Sequence, residues 1–123
     1  MYTDYTEYSI VHSKGFKMKK NRNNFCPVLF TLDLIGGKWK IPIIAQLQSG
    51  TKRFNELQKG IEGITARMLV KELKDLEVNS LVTRQVFAEV PPKVEYTLTQ
   101  SGKNLKPLIG EIKKWGNSHL NKV

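Results

Sequence analysis

"ITARMLVKELKDLEVNSLVTRQVF", residues 64–87, decides how the rest of the chain is read. Leu69, Leu73 and Leu76 recur at i, i+4 and i+7, which is helical spacing with one apolar stripe, and Thr65 ahead of them is a hydroxyl N-cap. With Leu69 at the origin and about 100° per residue, Leu73 and Leu76 fall within about 40° of it, while Arg67, Lys71 and Lys74 fall within about 40° of the opposite pole. The period changes after Ser80. "LVTRQVFAE" and "KVEYTLT" are β-branched and aromatic, and the "VPP" between them predicts a hairpin with a stiff tip. Val94, Tyr96 and Leu98 alternate onto one of its faces.

Upstream, "TKRF" predicts a very short strand, and Phe54, Leu57 and Ile61 predict a helix whose end Gly60 and Gly63 bracket. Two helices are expected before it. The first starts at Pro27, carries Val28, Leu29, Leu32 and Ile35 as its apolar stripe and stops at Gly36-Gly37. The second, about residues 38–48, carries Trp39, Ile43, Ile44 and Leu47, with Pro42 early enough to kink rather than break it. Core packing accounts for Trp39 better than ligand stacking does. Downstream, Thr99 or Ser101 caps a final helix through about His119, in which Leu105, Leu108, Ile109, Ile112 and Trp115 form a stripe broader than a surface helix needs. Part of that stripe is expected to pack against another subunit. Residues 1–24 lack sustained periodicity and read as a flexible basic N-terminal arm, with Met18 before "KKNRNN" an alternative start; residues 25–120 read as one domain.

The order helix, helix, short strand, helix, tight turn, helix, hairpin, helix is that of a winged helix-turn-helix, mainly α with a small β-hairpin. A helix over 65–79 makes a rod roughly 22 Å long, and a major groove about 12 Å wide admits it. Arg67, near its start, has the fork that pairs with guanine O6 and N7 and is the first choice for base reading. Thr65, Ala66 and Val70 would add shape or methyl contacts, and Lys71 and Lys74 suit phosphates. In the wing, residues 81–98, Arg84 and Lys93 are placed to reach the backbone or minor groove. Arg53 can contact a phosphate at the entrance to the helix pair or hold Glu56, and the phosphate is favoured. A basic face opposite a leucine stripe is most often only solvated, with Glu72, Asp75 and Glu77 pairing locally. The helix therefore does not decide the function by itself.

Composition narrows the field. A net charge of +9 over 123 residues, spread along the chain rather than held in one tail, favours a polyanionic partner: nucleic acid, an anionic membrane or an acidic protein. One cysteine allows no internal disulfide, and no run has the length of a membrane span or the pattern of a signal peptide, so a cytoplasmic protein is expected. His12 and His119 lie at opposite ends without metal-ligand spacing, and no glycine-rich phosphate loop follows a strand; neither catalysis nor a cofactor is expected. Two rivals to double-stranded DNA binding remain. A protein-interaction winged helix would show an apolar surface where Arg67, Lys71 and Lys74 stand, and an RNA-binding module would need aromatic platforms outside the core.

"CPVLFTLDLIGGKWKIPII", "RFNELQKGIEGITARMLVKELKDLE", "LVTR", "VPPKVEYTLTQSGKNLKPL" and "WG", in unbroken order from Cys26 to Gly116, resemble the HxlR-type winged helix-turn-helix transcriptional regulators, a MarR-like fold. The resemblance implies a bacterial DNA-binding regulator, a homodimer built through its N- and C-terminal helices, with recognition by the helix over 65–79. It also implies a small-molecule or oxidant signal of unknown identity, because the Cys26 position serves in some members as a sensor of electrophiles or oxidants. Cys26 precedes a helix whose N–H groups favour an anionic sulfur, with Lys38 and Lys40 as candidate neighbours; the competing reading is a buried cysteine acting as a small hydrophobe. Two departures from the family pattern stand out. Serine occupies position 80, where the family usually has glycine, so Asn79 is expected to take the left-handed conformation instead. There is also no second cysteine, which excludes a switch between two different cysteines of one chain.

Overall fold

The computed structural model describes residues 26–122, and its elements follow the changes of period in the sequence. They are α1 (Pro27–Ile35), α2 (Lys40–Leu47), β1 (Lys52–Arg53), α3 (Phe54–Gly60), α4 (Ala66–Val78), β2 (Val82–Phe87), β3 (Lys93–Leu98), α5 (Gln100–Lys103) and α6 (Lys106–Leu120). The arm expected over 1–24 lies outside the described residues.

The core gathers one stripe from each central element: Ile43, Ile44 and Leu47 of α2, Leu57 of α3, Leu69, Leu73 and Leu76 of α4, Val82 of β2, Tyr96 and Leu98 of β3, and Ile109 of α6. Trp39 packs against it from a half-buried position, with the Lys38 ammonium 4.7 Å above its ring. At 1% exposure or less, Leu69, Leu73 and Leu76 are the inner face that the sequence spacing assigned to α4. The turn between α3 and α4 places Gly63 at φ +90°, in the left-handed region that favours glycine. Gln46 of α2 donates from Nε2 to the Gly60 carbonyl at 3.1 Å, closing the end of α3.

The hairpin is part of a three-stranded antiparallel sheet of order β1-β3-β2. Val82 pairs with Leu98 and Phe87 with Lys93, while β1 adds Lys52 opposite Tyr96 and Arg53 opposite Glu95. A two-stranded wing was expected; β1 joins its inner edge and ties it to the start of α3. Along β2 only Val82 is buried, so the far half of the hairpin stands out as the wing.

Of the α1 stripe Ile35 is buried, while Val28, Leu29 and Leu32 are exposed. Two expectations need correction. The last helix is broken in two, because Pro107 in the first turn of α6 brings no N–H and its ring cannot follow a preceding helical turn. Thr99 caps α5, accepting from the Gly102 N–H at 3.2 Å, and of the α6 stripe only Ile109 is buried while Leu108, Ile112 and Trp115 are exposed. Trp115 and His119 stack on that outer surface with centroids 4.7 Å apart.

The second concerns the end of α4. Asn79 sits at φ −92° and Ser80 itself takes φ +61°. The Leu81 N–H reaches the Leu76 carbonyl at 2.9 Å and the Ser80 N–H reaches Glu77 at 3.0 Å, a Schellman pair that satisfies two helix-end carbonyls. Leu81 and Leu76, both buried, lock it, and the Thr99 hydroxyl donates to the Ser80 carbonyl at 2.7 Å. These contacts outweigh the cost of a left-handed serine, of order 1 kcal/mol. Ser80→Gly should therefore stabilise the protein by about 0.5–1 kcal/mol in urea unfolding, because glycine carries no such cost at positive φ. A destabilised Ser80→Gly protein would contradict this account of the turn.

Candidate nucleic-acid interface

The leucine stripe turns the opposite side of α4 outward. Thr65, Ala66, Arg67, Val70, Lys71 and Lys74 are all exposed, and the Thr65 hydroxyl accepts from the Met68 N–H at 3.1 Å as an N-cap. Arg67 and Lys74 point out along the ridge, with Val70 and Val78 adding apolar surface beside them. Lys71 is less independent, since its ammonium lies 3.7 Å from Asp75 and 4.0 Å from Glu72, at the long end of ion pairing.

Between α4 and the wing runs a groove of about 430 Å³ lined by Phe54, Val70, Lys74, Glu77, Arg84, Val94 and Tyr96. It brings Lys74 and Val70 of the helix together with Arg84 of the wing. Glu77, read from sequence only as a local partner of lysines, also lines this groove; its position one turn beyond Lys74 and Leu73 on the wing side was the available signal.

Arg53 is exposed at the start of α3, where its backbone N–H, not its guanidinium, donates to the Glu56 carboxylate at 2.8 Å. That bond leaves the side chain out of the helix cap. Lys93 stands differently. Its ammonium lies 3.9 Å from Glu89, 3.7 Å from Glu95 and 4.5 Å above the Phe87 ring, so two carboxylates already offset its charge.

Cys26 is exposed at the N-cap of α1, so within the chain the buried-hydrophobe reading does not hold. Its carbonyl accepts from the Phe30 N–H at 2.9 Å. Lys40 is not its neighbour in charge: that ammonium is buried and paired with Glu72 and Asp75. Beside Cys26, the exposed faces of α1 and α6 line an apolar groove of about 570 Å³, with Val28, Leu32, Ile41, Leu108 and Ile112 among its walls. Among the described residues, no helix is long and apolar enough to cross a membrane, and no group of three or more His, Cys, Asp or Glu could hold a metal ion.

A family model described as "HxlR-like helix-turn-helix" matches residues 34–123. An uncharacterized HTH-type transcriptional regulator, YybR of Bacillus subtilis (strain 168), is 49% identical over 94 residues, 76% of this chain and 75% of its own length. The redox regulator HypR in its oxidized form superposes with a TM-score of 0.71 at 49% identity, covering 76% of this chain and 96% of that one. The reduced form of the transcriptional regulator YodB from B. subtilis superposes with a TM-score of 0.65 at 40% identity, covering 76% and 92%.

Two substitutions should behave differently. Arg67→Ala is expected to cost about 1–3 kcal/mol on a specific duplex and to relax one base position, whereas Arg84→Ala should weaken all duplexes alike and lower the salt slope by about one. Lys93→Ala should follow Arg84→Ala with a smaller loss, because Glu89 and Glu95 already offset its charge. Anisotropy titrations on specific and random duplexes read both quantities, and equal losses on both duplexes for Arg67→Ala would overturn its assignment.

Proposed function

This chain belongs to the HxlR-like helix-turn-helix family of DNA-binding transcriptional regulators, and on that premise we propose that it binds a pseudo-palindromic operator as a homodimer. The observation that carries the reading is the division of α4: a fully buried leucine face and, opposite it, an exposed ridge of Arg67, Lys71 and Lys74. Each α4 enters a major groove, Arg67 reading a base edge with Thr65, Ala66 and Val70 close to the floor. Lys71, Lys74 and Arg53 hold phosphates, and the wing sets Arg84 and Lys93 on the adjacent backbone or minor groove. Half-sites then lie one helical turn apart, roughly 34 Å.

The dimer closes through α1 and α6. Support comes from their exposed apolar residues: Val28 and Leu32 of α1 line one groove with Leu108 and Ile112 of α6, and a contiguous exposed apolar surface marks an interaction site. Neither rival reading finds such support at α4, where the exposed side is cationic, while Tyr96 is buried and Phe54 and Trp39 are packed on the core. Anisotropy with duplex DNA, RNA and single strands at two salt concentrations tests the choice; preference for RNA or for no nucleic acid would sink the operator reading. Ile112→Glu should give a folded monomer by sedimentation and lose about 10²–10⁴ in operator affinity, since two linked half-site contacts become one.

Cys26 is the candidate sensor. The sulfur is exposed at the end of α1, beside the proposed dimer surface, where an adduct, a mixed disulfide with a small thiol, or a bridge between two copies of Cys26 would alter the subunit contact. Diamide or a quinone should shift operator affinity in the wild type and leave Cys26→Ser unmoved. Identical wild-type binding curves before and after treatment would discard the sensor role.

A further inference from the structure

Lys40 occupies a position that the sequence reserves for an apolar residue. It precedes Ile43, Ile44 and Leu47 at i, i+3, i+4 and i+7, so α2 presents it on the same face as its core stripe, and it is only 4% exposed. The ammonium is 2.6 Å from Glu72 Oε1 and 3.4 Å from Asp75 Oδ2, both on α4. The carboxylates are themselves withdrawn from water, their side chains 15% and 8% exposed. From the outer side the same pair is approached by Lys71, 55% exposed, at 4.0 Å and 3.7 Å. Two anions of the recognition helix thus lie between a buried cation and a solvent-facing one.

Shorter distance and deeper burial give the inner cation the larger share of the attraction. The four groups sum to zero charge. Without the inner cation the two carboxylates would draw Lys71 inward and leave a negative spot beneath the ridge. We propose that Lys40 is a positioning residue for DNA binding: by neutralising Glu72 and Asp75 from inside the core, it keeps the Lys71 ammonium available to a phosphate. The inference rests on the DNA-binding reading above and adds to it a charge-balancing role for a residue that touches no DNA.

Salt-dependent binding of the full chain to a mixed-sequence DNA duplex tests it, because the slope of log affinity against log salt counts phosphates neutralised, roughly 0.9 for each. Lys40→Met keeps an unbranched apolar side chain on the stripe and should make the slope shallower by about 0.9. The double variant Lys40→Met/Glu72→Gln restores zero charge to the group and should recover the wild-type slope. A purely structural role predicts otherwise: weaker binding at unchanged slope, with no recovery in the double variant, and that result overturns the proposal. If Lys40→Met does not fold, Glu72→Gln alone decides. Relieved of one anion, Lys71 should bind duplex at least as tightly as in the wild type, and a folded Glu72→Gln protein that binds more weakly overturns it. A wild type that ignores duplex DNA removes the operator reading together with this one; a wild type that binds, with slopes indifferent to positions 40 and 72, removes this one alone.

Discussion

The roll of α4 about its own axis is the constraint on which the remaining geometry depends. Leu69, Leu73 and Leu76 are at most 1% exposed, and burying each contributes about 1.5–3 kcal/mol relative to leaving it in water. A slip of one residue would turn the helix by about 100° and forfeit most of that gain. The basic ridge is therefore set by what lies beneath it, not by any attraction among its own cations. Both ends are pinned as well, by the Thr65 cap and by the Schellman pair at Ser80, so the helix is presented as a rigid body.

How much of this could be read from sequence follows from whether a feature is local. The α4 stripe, its cap, and the alternation of Val94, Tyr96 and Leu98 are short-range patterns, and the structure reproduces them. The groove between α4 and the wing is not local. It exists because β1 pairs with β3, which places Arg53 and the start of α3 beside the hairpin, and no spacing within one element announces that pairing. Ser80 shows the same limit: propensity favours Asn79 for the left-handed residue, but the Leu76–Leu81 closure and the Thr99 hydroxyl select position 80. Lys40 was legible in one sense, as a charge on an apolar stripe, yet only the fold reveals that Glu72 and Asp75 await it thirty-two and thirty-five residues later.

Periodicity also stops short at the terminal helices. It identified the apolar faces of α1 and α6 correctly but could not say what covers them, and most of both faces is exposed in the single chain. The division of labour is physical. Residues that settle the core come from α2, α3, α4 and the sheet, while α6 commits chiefly Ile109 and α1 chiefly Ile35. The DNA-reading unit can thus be complete within one chain, whereas the terminal helices have apolar area left to place elsewhere.

That asymmetry bears on how a signal at the proposed dimer contact would reach DNA. A regulator could loosen its recognition helix or move it intact, and here loosening is disfavoured, since α4 is held by its leucines, two end caps and the Lys40 pairs. The connection from α4 toward α6 is equally short and stiff: the Ser80 turn receives the Thr99 hydroxyl, Thr99 caps α5, and Gly102 packs so closely on the Leu81 carbonyl that no side chain would fit. A change among the exposed side chains of α1 and α6 would then be carried as a displacement of one whole reading unit relative to the other. With two half-sites to be met at once, as proposed, a shift of a few ångströms would cost the linkage between them without disturbing either helix. Regulation of this kind needs no local unfolding, and it would let a change at the exposed Cys26, at the N-terminal end of α1, act on the proposed dimer contact while α4 stays seated on a closed core.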